Sequence, residues 1–257
     1  MQVLGLTVSP GDGVASRRAQ FLADGSVGWA ISDAGTIQRS VDKGRSWQAL
    51  ATPPSAPMFG VSDFHFADAL QGWAVTPLGG SDGSIFGTVD GGVSWQPFAS
   101  TKSVSGMVSV RFADGQHGMA VGPAGIALVS ADGGATWLPR STGVASNLRR
   151  LAVVDASTAV AVGEGGAIVR STDRGRTGIR CQPTARTLND VRFISSRLGH
   201  AVGEGGVQLA TRDGGLTWTV VPTRMQTSLQ AVFFVDEQTG WMAGRNGSIL
   251  ATATGGL

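Results

Sequence analysis

The chain has 257 residues, 39 of them glycine, and a formal net charge of only +2 from 18 arginines, two lysines and 18 acids. Its length allows one large domain or two small ones, and glycine-rich turns between short runs of Val, Ile, Ala and Phe point to strands rather than helices. A lone cysteine, Cys181, excludes an internal disulfide and a thiol-paired metal site, and no run reaches the roughly 18 apolar residues that a membrane helix needs.

The first residues, MQVLGL, lack the basic start and long apolar core of a secretory signal, so a signal for an exported protein would lie outside these residues. From there the chain repeats. Second runs open at Gly28 (GWAIS), Gly72 (GWAVT), Gly118 (GMAVG), Ala159 (AVAVG), Gly199 (GHAVG) and Gly240 (GWMAG), spaced 44, 46, 41, 40 and 41 residues apart. Four residues before each opening stands an acid (Asp24, Asp68, Asp114, Asp155, Asp236), with Ser195 the exception, and before it an apolar stretch such as VRFAD or VFFVD. A glycine-rich turn, a third run and an eight-residue box follow. The boxes read SVDKGRSW (40–47), TVDGGVSW (88–95), SADGGATW (130–137), STDRGRTG (171–178) and TRDGGLTW (211–218). A short fourth run ends each of the first five units. Four strands per unit, six times over, is the signature of an all-β fold, a single β-propeller over residues 1–257.

The box reads as architecture. Asp42, Asp90, Asp132, Asp173 and Asp213 are expected to accept turn N–H groups two or three residues on, and the glycine two places later to supply a positive φ. The Ser or Thr adds a local hydrogen bond, and Trp47, Trp95, Trp137 and Trp218 are expected to bury against a neighbouring blade. The fourth box has Gly178 in place of Trp, and the sixth unit stops at TATGGL with Thr254 in place of Asp and no fourth strand. An open edge invites aggregation, so MQVLGL, which reads like WQALAT at 47–52, is expected to close the ring.

The pattern S/T-x-D-x-G-x-T/S-W is the Asp box of bacterial neuraminidase-type repeats. The longer unit VRFADGQHGMAVGPAGIALVSADGGATW (110–137) resembles the photosystem II assembly and stability factor family of propellers. That family usually has seven blades, the alternative to the six counted here. The resemblance implies a scaffold for another polypeptide, acting in the periplasm, a lumen or another exported compartment. Sialidases, which share the box, use a tyrosine nucleophile, and this chain has no tyrosine. Xyloglucanase-like relatives resemble two propellers flanking a cleft, which one 257-residue ring cannot make.

Few groups suggest chemistry. Glu164 and Glu204, in matching GEGG turns, are the best carboxylate pair for a glycosidase, against the plainer reading of solvated turn residues. His65, His117 and His200 fall at three different places in the repeat, without metal-ligand spacing. No catalytic residue, cofactor or metal is expected. A carbohydrate-binding or glycosidase-like propeller is the second reading.

Charge is distributed unevenly. Residues 140–224 hold twelve arginines against six acids, and the remainder eight basic residues against twelve acids. No aromatics interleave with the arginines, so nucleic acid is not the expected partner. An acidic polypeptide is, and the protein itself is expected to be a monomer. Arg17, Arg18, Arg149 and Arg150 begin first strands, where the loops meet the channel mouth, and Glu164, Glu204 and Arg245 lie in the turns between second and third strands. One position within the first strands varies as Phe21, His65, Arg111, Ala152, Arg192 and Phe233 between apolar neighbours. Arg17, Arg18, Arg111, Arg149, Arg150, Arg192, Arg245, Glu164 and Glu204 are therefore the candidate binding residues.

Overall fold

A computed structural model describes residues 16–32, 34–53, 60–80, 83–98 and 106–255. The expected closing strand at residues 1–6, and with it ring closure, lies outside the described residues. Six antiparallel sheets follow one another, with strands in chain order in each. They are β1 (Ser16–Phe21) to β4 (Gln48–Ala49), β5 (Asp63–Phe66) to β8 (Gln96–Pro97), and β9 (Ser109–Phe112) to β12 (Leu138–Ser141). Then come β13 (Leu148–Val153) to β16 (Ile179–Cys181), β17 (Leu188–Phe193) to β20 (Thr219–Val221), and β21 (Leu229–Phe234) to β23 (Ile249–Thr252). Five sheets have four strands, and the sixth has three among the described residues. The fold is thus the β-propeller that the repeat predicts, with six blades. The chain falls into two compact units, residues 1–118 with 130–137, and residues 119–129 with 138–257.

Register explains the repeating glycine. The last residue of each first strand pairs with the residue that opens the second: Phe21 with Gly28, Phe66 with Gly72, Phe193 with Gly199, Phe234 with Gly240. The phenyl ring lies over the glycine, and a Cβ at Gly72 would overlap the Phe66 ring. Blade four breaks the glycine rule because it breaks the phenylalanine rule, pairing Val153 with Ala159. Gly72→Ala is therefore expected to cost about 1–3 kcal/mol through overpacking, while Ala159→Gly costs under about 1 kcal/mol. Urea denaturation of both variants checks this; an unchanged midpoint for Gly72→Ala would refute the ring-over-glycine account.

Two kinds of tryptophan hold the blades. The second-strand indoles of blades one and two stack on the phenylalanine of the next blade. Trp29 lies 3.8 Å from Phe66 and Trp73 3.5 Å from Phe112, ring centroid to centroid. Each N–H then donates to the carbonyl after the next box Asp, Gly91 O at 3.0 Å and Gly133 O at 2.9 Å. The box indoles pack with the preceding blade where the core clusters include them, Trp95 with Trp29, Ile31 and Ile37, and Trp218 with Val160, Val162 and Ile168, and they also meet a ring of their own blade. Trp47, Trp95, Trp137 and Trp218 stand edge-on to the phenylalanine of their own blade, Phe21, Phe66, Phe112 and Phe193, at 5.7–6.0 Å.

The box turn is closed by paired side-chain bonds. In the third box Asp132 Oδ1 accepts from Thr136 N at 2.9 Å and Oδ2 from the Thr136 hydroxyl at 2.6 Å, while Ser130 Oγ accepts from Gly134 N at 2.8 Å. The reach is four residues, longer than the two or three expected, because two successive residues are left-handed. The first of them is Lys43 (φ 64°) in the first box and Arg174 (φ 62°) in the fourth. The fourth box keeps this network without its Trp, with Thr177 donating twice to Asp173. These bonds hold the Asp42, Asp90, Asp173 and Asp213 carboxyls down at about 2, through Ser46, Ser94 and Thr177 first and, for Asp213, Thr217 against its burial.

Candidate functional site

The first strands carry the polar groups in question. Register places Gln20, not Phe21, beside His65, Arg111, Ala152, Arg192 and Phe233 as the varying position, because Phe21 pairs with Gly28 as Phe66 does with Gly72. The repeat alignment slips by one residue there, because the hairpin from Phe21 to Gly28 is one residue longer than that from Phe66 to Gly72. Three of these variable side chains reach the neighbouring first strand. Gln20 exchanges two hydrogen bonds with the Phe66 backbone, at 2.7 and 3.1 Å, Arg111 joins Asp63, and Arg192 lies over the Phe233 ring at 4.7 Å.

Two residues further back a second position repeats across blades. In the first unit it reads Arg18, Asp63 and Ser109. Asp63 is fully buried, and the donors that meet it include Arg18 Nε at 2.7 Å, Arg111 Nη1 at 2.8 Å, Ser109 Oγ at 2.7 Å, and the backbone N–H groups of Phe64 and Val110 at 2.8 and 3.2 Å. Burial pushes its carboxyl up to about 6, against the pull of Arg18 and these hydrogen bonds. Arg18 and Arg111 are therefore committed to the fold.

In the second unit the same position reads Arg150, Asp190 and Ala231. Arg150 Nε lies 3.2 Å from Asp190, whose other oxygen accepts Val232 N at 2.9 Å. Ala231 supplies no hydroxyl, and this pair keeps partial solvent access. Arg149, one residue earlier, sits at a β-bulge, as do Arg17, Asn189 and Gln230 in their strands. A bulge re-aims the side chain away from the ladder. Arg149 accordingly spans outward, 3.0 Å to Glu164 and 2.9 Å to Asn189 Oδ1, with 40 % of its side chain exposed. Asn147 completes the cluster, donating to Glu164 at 2.9 Å and accepting from Ala124 N at 2.9 Å. Asn147 is the group that sequence reasoning missed; its place directly before a first strand, facing a GEGG turn, was the available signal.

The structure thus joins Arg149, Glu164, Asn147 and Asn189. Glu164 is engaged by a guanidinium and an amide, and Glu204 lies exposed in its own turn with no ion pair among the described residues. Arg245 is exposed in the matching turn of blade six. Arg17 lies in β1. Arg174, Arg176, Arg180 and Arg186 of the basic segment are exposed, while Arg170 turns inward to Gly214 O at 2.7 Å. Among the described residues no three His, Cys, Asp or Glu side chains converge as a metal site would require, and no helix is long and apolar enough to cross a membrane.

A sequence model of the family described as photosynthesis system II assembly factor YCF48 matches residues 8–128. Photosystem II stability/assembly factor HCF136, chloroplastic, of Arabidopsis thaliana is 22 % identical over 251 residues, covering 88 % of this chain. The chain resembles the photosystem II assembly factors. It spans 61 % of the length of HCF136. A solved structure of YCF48 bound to D1 peptide superposes with a TM-score of 0.68 at 18 % identity, over 89 % of this chain and 74 % of that one. A GH74 enzyme of Niastella koreensis superposes at 0.71 with 13 % identity, over 93 % of this chain and 45 % of that one, a likeness of fold alone.

Two histidines give this assembly-factor-like fold an acid limit. His200 stacks on Phe234 at 4.3 Å, is fully buried, and among the described residues neither ring nitrogen has a hydrogen-bond partner. His65 lies beside the stacked Trp73 and Phe112 pair, 6.3 and 6.4 Å from their ring centres. Burial holds both imidazoles down at about 4, with Arg18 adding repulsion at His65 and Arg212 at His200. The unfolded chain therefore binds more protons between about pH 4 and 6.5, so this stabilisation is complete above 6.5 and is lost as pH falls through that window. Asp63 runs the other way, its contribution falling as pH rises from 3.8 to about 6. His200→Phe, which keeps the ring stack, isolates one histidine. Its melting temperature should drop less than that of the wild type between pH 6.5 and 4, and equal drops would overturn the assignment.

Proposed function

We propose that this protein is a non-enzymatic scaffold, a single domain over residues 1–257, that binds another polypeptide and serves as an assembly or stability factor outside the cytoplasm. The observation that carries the reading is Arg149. A bulge turns it out of the ladder at the start of a first strand, within a segment of twelve arginines against six acids. Its neighbours Asn147 and Glu164 present further donors and acceptors of the kind that a peptide backbone uses, while the buried Asn189 holds Arg149 in place and donates to Leu229 O. The solved YCF48 that carries a D1 peptide supports a polypeptide as the class of ligand. The partner surface is acidic, since a complementary field raises the association rate and makes it salt-sensitive.

Arg149 and Arg150 do not play the same part in this reading. Arg150 is paired with Asp190, so its reversal would set two acids together and damage the fold. Arg149→Glu is the informative change. With a partner cross-linked in the native host and identified by mass spectrometry, surface plasmon resonance should show association slowed several-fold by Arg149→Glu and by raised salt, with the melting temperature little altered. Association indifferent to both would place the binding surface elsewhere.

A further inference from the structure

A pocket of about 350 Å3 runs along β4, the outer strand of blade one, lined by Arg39, Val41, Trp47, Gln48, Leu50 and Val93 among others. We propose that it binds a carboxylate carried on a small apolar body. The reason lies in how blade one uses its donors. Arg39 in β3 (Ile37–Ser40) and Arg170 in β15 (Ile168–Ser171) occupy the same place in the repeat, opposite Trp29 and Val160 respectively. In blade four Val160 has no donor, and Arg170 Nε takes the carbonyl after the next box Asp, Gly214 O, at 2.7 Å. In blade one the Trp29 indole already takes the equivalent carbonyl, Gly91 O, at 3.0 Å.

Arg39 is left with little. Its Nη2 reaches Ala69 O at 3.4 Å, its guanidinium lies 5.8 Å from the Trp29 ring centre, and its Nε is buried with no hydrogen-bond partner among the described residues. No carboxylate among those residues pairs with it. The nearby box acids, Asp42 and Asp90, are held by their own turns, Asp42 by Ser46 and Ser40 and Asp90 by Ser94 and Thr88. A cation in the wall of a concave site, without a counter-charge, attracts an anion, and a guanidinium matches a carboxylate in two bonds.

The walls choose the rest of the ligand. Trp47 is half-buried, whereas the other box indoles are at most 7 % exposed, and Val41 and Val93 are 70 % and 57 % exposed. These surfaces and Leu50 suit an aliphatic body, and Gln48 offers an exposed amide at the rim. A neutral sugar would leave the guanidinium uncompensated, and a phosphate would meet mostly apolar walls. The site is independent of the polypeptide surface proposed above.

Calorimetric titration of the protein with N-acetyl-leucine, N-acetyl-leucinamide and a blocked pentapeptide ending in leucine tests it. The acid should bind saturably and shift the Trp47 indole N–H resonance of the wild type, and the neutral amide should bind about tenfold more weakly or not at all. Arg39→Gln should lose binding of the acid by a similar factor, and the resonance shift in the wild type keeps the test valid if that variant misfolds. Tighter binding of the pentapeptide would identify a chain terminus as the source, and equal binding a free acid. The proposal is overturned if acid and amide bind alike, if Arg39→Gln binds undiminished, or if neither acid nor pentapeptide moves the Trp47 resonance.

Discussion

Asp63→Ala is expected to destabilise the protein by about 3–5 kcal/mol, the range for removing one partner of a buried charged network. Asp63 has no exposed surface, and two guanidiniums, a hydroxyl and two backbone N–H groups point at its oxygens. Its loss strands Arg18 and Arg111, whose side chains are 21 % and 15 % exposed, beside unpaired N–H groups. The control is built into the molecule. Asp190 holds the equivalent place in the second unit, facing Arg150 and the Val232 N–H at 16 % exposure, so Asp190→Ala should cost about 1–3 kcal/mol. Chemical denaturation of both variants measures the difference. Equal losses would mean that burial does not set the cost, and a stable Asp63→Ala protein would mean that the network is dispensable.

Trp137→Ala should cost a similar amount, about 3–5 kcal/mol, as large aromatics do when removed from a core. Trp137 is 2 % exposed and stands edge-on to Phe112, the ring that also carries the Trp73 stack. Truncation therefore opens a cavity against one ring and loosens a second contact at the same time. Trp47→Ala should cost less, because that indole is half-buried and touches only Phe21 among the described aromatic rings. The two variants share a motif and differ in surroundings, so thermal unfolding separates the motif from its packing. A Trp137→Ala protein that kept its midpoint would remove the box indole from the account of the core.

Several of these roles are legible in the order of the amino acids. The periodic glycine, the box and the alternation of apolar runs place four strands in each unit, since local turn chemistry and strand patterning need no distant partner. Asp132 and Thr136 are four residues apart, so their bonds follow from the turn alone. Even the exception at Ala159 has a local cause, the valine that faces it in the neighbouring strand.

The candidate site was legible only in outline. Arg18, Arg111, Arg149 and Arg150 look alike as first-strand arginines, yet only Arg149 faces outward as a binding residue would. Arg18 and Arg111 close on Asp63, whose burial no local pattern announces, and Arg150 closes on Asp190. A one-residue bulge separates the fates of Arg149 and Arg150, and a bulge is a property of strand pairing rather than of a residue type. Likewise the spare charge of Arg39 arises because Trp29 claims a carbonyl sixty-two residues away. The repeat, the turns and the fold class follow from amino-acid order, because they rest on interactions within a few residues of one another. Which arginines are structural and which are free for a ligand follows from the packed blades instead, because each depends on what the next blade places against it.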